Sequence, residues 1–195
     1  MSEKTMEDLH YVENFGLGGD QRGEPGGGAP KFYGKYRGTV LNNVDPKRLG
    51  RLLVRVTDVL GMFSSSWALP CLPMAGMQTG FFITPPINSG VWVEFEQGDA
   101  RKPIWVGCWY GSPAEPPSSS QMATPGSPVT IIESMTSKSV VIISDVPVGM
   151  MTGPGILIRS GASSIYIGPT GVEIKGPTLK VTAQTDFNEK ALTIT

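Results

Sequence analysis

The sequence predicts an all-β chain: a small strand barrel, then a linker, then a tail of short strands. Three observations carry this. Gly (25) and Pro (17) make up about a fifth of the 195 residues, and long helices tolerate neither. Apolar and polar residues alternate over short runs bounded by turn residues from Tyr36 onward. All four tryptophans (Trp67, Trp92, Trp105, Trp109) fall within residues 31–111, which marks that stretch as the part able to bury a core.

Residues 1–30 hold seven glycines and six acids against two bases, with few large apolar groups. Such a segment buries too little to offset the entropy of ordering, so a flexible acidic arm is expected, with a short piece around Leu9–Phe15 able to dock on a partner. Within 31–111, Tyr36–Leu41 reads as a strand, followed by a polar turn through Asp45-Pro46. In Gly50–Val56, Leu52, Val54 and Val56 share one face while Arg51 and Arg55 take the other. Val91, Val93 and Phe95 alternate with Trp92, Glu94 and Glu96, and Ile104–Trp109 follows a Gly98-Asp99 turn. About five short strands in ~80 residues suit a closed or partly closed barrel. Residues 112–128 are a linker by composition, stiffened by proline and solvated by serine.

Residues 129–195 repeat apolar pairs at i, i+2: Ile156/Ile158, Ile165/Ile167, Val172/Ile174, Leu179/Val181 and later Leu192/Ile194. Turn signals such as Ser160-Gly161 and Gly176-Pro177-Thr178 separate them. Each strand presents one apolar stripe, and only Tyr166 and Phe187 are aromatic, so the tail is expected not to enclose a core alone. Burying the stripes against other copies resolves this. Ile156, Ile158, Ile165, Ile167, Val172, Ile174, Leu179 and Val181 are the expected inter-chain contacts. Threefold intertwining is a natural closure because it removes sheet edges, although the strand pattern alone does not fix the number three.

Composition narrows the function classes. Lys and Arg total 16 against 17 for Asp and Glu, a balance unlike a general nucleic-acid coat or a polybasic anchor. Cys71 and Cys108 make no disulfide framework and, in apolar strand contexts, are expected as buried core residues. A single histidine, His10, removes most histidine-based catalysis and zinc ligation. No signal peptide and no bilayer-spanning run are visible, so assembly in a cytoplasm is expected.

The runs Tyr36-Arg37-Gly38-Thr39-Val40, Asp45-Pro46, Gly50–Val56, Trp67-Ala68, Gly80-Phe81-Phe82, Pro85–Phe95 and Pro103–Gly107 together resemble the OB-fold domain of phage baseplate assembly protein V. The same domain occurs in VgrG-type spikes of type VI secretion and of phage-tail-like contractile injection systems. The resemblance spans about residues 35–111, and Gly50–Val56 and Gly90–Phe95 are its most specific parts. The tail is similar only in style to that family's spikes.

The resemblance implies an OB-fold barrel followed by a C-terminal intertwined trimeric β-helical spike. It implies a homotrimer under a separate baseplate hub protein, with room for a PAAR-type tip protein below, driven through a target cell envelope when a sheath contracts. The particle concerned is a virion or an injection machine. Some short members of the family bind an iron ion at the needle apex through histidines near the C-terminus. No histidine follows His10 here, so no metal or other cofactor site is carried over.

Glu94, Glu96 and Asp99 lie close enough in sequence for paired-carboxylate hydrolysis, but a solvated strand face ending in a turn is the favoured account, since no apolar pocket that would raise one pKa can be read there. No catalytic residue is assigned. Gly16–Gln21 resembles a dinucleotide loop only faintly, lacking the sixth glycine and a preceding strand. Residues 31–111 carry nine bases against five acids, and Tyr36, Phe81 and Phe82 are candidate stacking rings. Single-stranded nucleic-acid binding by the barrel is therefore the alternative function, disfavoured because alternation turns many rings inward.

Overall fold

The alternation at Leu52, Val54 and Val56 is a burial pattern: all three are fully buried in the computed structural model, which describes residues 29–180. Most of the expected arm, including His10, and the tail positions Val181, Phe187, Leu192 and Ile194 lie outside the described residues. The chain divides into two units, Met1–Trp109 and Tyr110–Thr195.

The first unit contains β1 (Tyr36–Asn42), β2 (Leu53–Arg55), the one-turn helix α1 (Thr57–Leu60) and β3 (Leu69–Pro70). A small hairpin of β4 (Ala75–Gly76) and β5 (Thr79–Gly80) precedes β6 (Gly90–Phe95) and β7 (Pro103–Trp109). The sheet order is β2-β1-β6-β7-β3. Every pairing in it is antiparallel except β3 with β7. Leu52 and Ala68 exchange both backbone hydrogen bonds, at 3.1 and 2.8 Å, and so join the β2 end of the sheet to the β3 end. That bridge closes a five-stranded barrel of OB type.

Val40, Leu52, Val54, Val56, Leu60, Ala68, Val91, Val93, Phe95 and Trp105 form its core. The Trp105 indole N–H donates to the Gly50 carbonyl at 3.1 Å, so the one polar atom of the largest core side chain is satisfied. Val106 is an extra residue opposite the Trp92–Val93 step, a bulge that bends β7.

One carboxylate organises the β1–β2 connection. Asp45 accepts from the backbone N–H of Lys47, Leu49 and Arg51 and from the Arg51 guanidinium at 3.0 and 2.6 Å. The Asp45 side chain is 3% exposed and that of Arg51 13%. Arg51, helped by these N–H groups and opposed by burial, holds the Asp45 carboxyl well below the usual carboxylate range. The other face of the Arg51 guanidinium lies 5.4 Å from the centre of the Trp67 ring.

The second unit is a five-stranded antiparallel meander: β8 (Val129–Glu133), β9 (Val140–Ser144), β10 (Gly155–Ser160), β11 (Ser163–Gly168) and β12 (Gly171–Lys175). Its order, β12-β11-β10-β9-β8, leaves β12 and β8 as edges among the described residues. Val140, Ile142, Val148, Met151, Leu157 and Tyr166 form a core against one face of this sheet. The expectation of no core within a single copy is corrected by this cluster. The reason is that β9 and the loop after it supply cover that a stripe counted from Ile156 omits.

Gly155 shows how tightly β10 meets β11. It has φ +147°, and a Cβ there would stand 2.1 Å from the Ile167 carbonyl oxygen.

Two further expectations change. Within the expected linker, Ser118–Met122 forms a 3-10 turn. The Ser118 hydroxyl and the Ser119 backbone N–H both donate to the Glu133 carboxylate, which is 3% exposed. Those hydrogen bonds, the Ser118 hydroxyl first, hold the Glu133 carboxyl down to about 2. Cys71 and Cys108 are exposed rather than buried. Cys71 follows the two-residue β3 and Cys108 is next to last in β7, so both stand at strand ends.

Candidate functional site

The register of β8–β12 lays two rows of side chains across one face of the sheet. The first row runs Thr130, Ile143, Ile156, Ile167, Val172. The second runs Ile132, Val141, Ile158, Ile165, Ile174. Residues directly opposite across an antiparallel ladder point the same way, so every position except Thr130 adds an aliphatic group to one surface.

The intervening row, Ile131, Ile142, Leu157, Tyr166, Glu173, points to the core face. Leu157 is 3% and Tyr166 7% exposed, whereas Ile132 is 69%, Ile158 46% and Val172 64% exposed. A two-faced sheet of β-branched residues thus has one face covered within the chain and one uncovered among the described residues. Neighbouring positions in each row stand about 4.8 Å apart, so the exposed aliphatic groups form one continuous patch.

Six of the eight residues expected at an inter-chain contact, Ile156, Ile158, Ile165, Ile167, Val172 and Ile174, lie in these two rows. Leu179 is exposed beyond β12, and Val181 lies outside the described residues. Sequence reasoning missed Ile132, Val141 and Ile143. The run Val140-Val141-Ile142-Ile143 is apolar on both faces, which hides its period of two, and only its register against β10 separates the faces.

The barrel's candidate groups are largely engaged with one another. Trp92 and Trp109 lie 6.3 Å apart, and the Arg37 guanidinium sits 5.8 and 5.1 Å from their ring centres. The Trp109 indole N–H donates to the Val91 carbonyl at 3.1 Å. Glu94 pairs with Lys35. Asp99 accepts from the Arg101 guanidinium at 3.0 and 2.9 Å and is held below the usual carboxylate range by it, the reverse of what a general acid requires. Phe81 and Phe82, unlike Trp105, are exposed.

The chain matches no curated protein. Among the described residues, no helix is long and apolar enough to cross a membrane. Residues 36–110, the whole of the barrel's strand sheet, match the family model of the type VI secretion system/phage-baseplate injector OB domain.

Proposed function

We propose that this chain is the central spike of a contractile tail or injection-system baseplate. It acts as a homotrimer that caps the tube beneath a hub protein and pierces the target envelope when the sheath contracts. The observation that carries this reading is the uncovered aliphatic face of β8–β12, following a baseplate-type barrel in the same chain. Three copies burying that face together remove it from water, and joining β12 of one copy to β8 of the next removes the free edges as well. An axial structure made this way has few soft loops, so load spreads over many hydrogen bonds broken together. The work is mechanical, and no residue is assigned a catalytic part. A PAAR-type protein at the narrow end fits the same scheme.

Native mass spectrometry and sedimentation velocity at low micromolar concentration test it. Three chain masses with an elongated frictional profile are expected. A chain that stays a single copy at all accessible concentrations overturns the proposal.

A further inference from the structure

We propose that residues 7–15 of this chain dock on the barrel surface formed by Val44, Leu49, Phe81 and Phe82 and flanked by Lys47 and Arg48. The surface is built from two loops held side by side. The Asn43 side-chain amide donates to the Pro85 carbonyl at 2.9 Å. The Phe82 ring lies 3.6 Å from where a Cβ on Gly50 would stand.

All four apolar members are more than half exposed, although the loops beneath them are fixed. The Asp45 network pins the loop that carries Val44, Lys47, Arg48 and Leu49. Asp45 spends its charge on Arg51, and neither Lys47 nor Arg48 has an ion-pair partner among the described residues. The result is an exposed apolar surface on a pinned loop, with two cations that no acid among the described residues pairs.

The proposed occupant has the complementary chemistry. Residues 7–15 read Glu-Asp-Leu-His-Tyr-Val-Glu-Asn-Phe, three acids interleaved with Leu9, Tyr11, Val12 and Phe15. Residues 1–30 carry six acids against two bases, opposite in sign to the nine bases and five acids of 31–111. The connection is long enough. Gly16–Lys31 spans up to roughly 50 Å when extended. A domain the size of the barrel has a radius of gyration of only roughly 11 Å. Phe32 is tied to the barrel by its N–H to the Gly98 carbonyl at 2.9 Å, so the segment starts from a fixed point. The proposal does not depend on the number of copies in the assembly.

The test is photocrosslinking in the full-length chain, with p-benzoylphenylalanine in place of Phe15 and products mapped by peptide mass spectrometry. Crosslinks to residues 44–50 or 81–83 are expected. Lys47→Glu with Arg48→Glu should cut their yield about five-fold, as loss of two exposed charge pairs allows. Phe82→Ser should cut it similarly, and raised salt should weaken it. Thermal melting checks that each variant remains folded, and native mass on the same samples reads the copy number separately. Crosslinks scattered over other surfaces, or a yield unchanged by the charge variant, overturn the proposal. So does a single-stranded oligonucleotide that protects Phe82 in a chain giving no crosslink from position 15.

Discussion

The indole of Trp109 covers Gly90, the residue directly opposite it across the β6–β7 ladder. A Cβ at Gly90 would stand 2.6 Å from the ring, closer than such atoms approach. The ring cannot simply retreat, because its N–H is bonded to Val91 and Arg37 lies over it. Gly90→Ala should therefore destabilise the barrel by about 1–3 kcal/mol through overpacking. Thermal melting followed by tryptophan fluorescence measures it. An unchanged midpoint and spectrum would mean the ring is free to move.

Asp45→Asn should cost about 3 kcal/mol, as expected when one partner of a buried ion pair is removed and Arg51 is left uncompensated. Denaturant unfolding of the full chain, read by the Trp67 neighbourhood beneath Arg51, is the measurement. Arg51→Lys with Asp45 kept should cost part of the same stability, because a lysine cannot reproduce the forked contact or the guanidinium's contact with Trp67.

Glu133 gives the second unit an acid limit. Its carboxyl ordinarily titrates near 4.5 and is held down to about 2 in the folded chain. The hydrogen bonds from Ser118 and Ser119 thus stabilise fully above pH 4.5 and are lost as pH falls through that window to 2. Glu133→Gln should lose on the order of 2 kcal/mol at neutral pH and flatten the stability profile between those two pH values. Circular dichroism melts of both chains across that range decide it, and parallel profiles would contradict the assignment.

The two faces of the second sheet should respond differently to the same kind of change. Leu157→Ala, on the covered face, should lose about 2–4 kcal/mol of folding stability. Ile167→Asp, on the uncovered face, should leave a single copy folded but abolish association, because burying several unpaired carboxylates together is prohibitive. Native mass beside a melting curve separates the two effects. An Ile167→Asp chain that still associates would remove this face from the contact.

The barrel strands were legible because each shows alternation with only one face buried. Leu52, Val54 and Val56 announce themselves against Arg51 and Arg55. The closing strand was not legible. Leu69–Pro70 is two residues long, contains a proline, and is defined only by its parallel pairing with Ile104 and Trp105. The aliphatic face was half legible. Ile156 through Ile174 alternate cleanly, whereas Val140–Ile143 are apolar throughout and divide between the faces only once their partners on β10 are known. The turn at Ser118–Met122 was hidden for a related reason. Its cause is a carboxylate at Glu133, beyond the reach of local composition. The cysteines misled because apolar neighbours in sequence do not fix burial: Cys108 is exposed although its ladder partner Val91 is fully buried.

The rims at β12 and β8, which no other strand among the described residues pairs, have a practical consequence for handling the protein. A sheet with a bare edge on either side and a greasy surface between is a two-sided adhesive, and stacking such pieces ends either in a ring that shuts or in a fibre that keeps growing. Growth of a fibre depends on chain concentration, so slower expression at lower temperature should raise soluble yield.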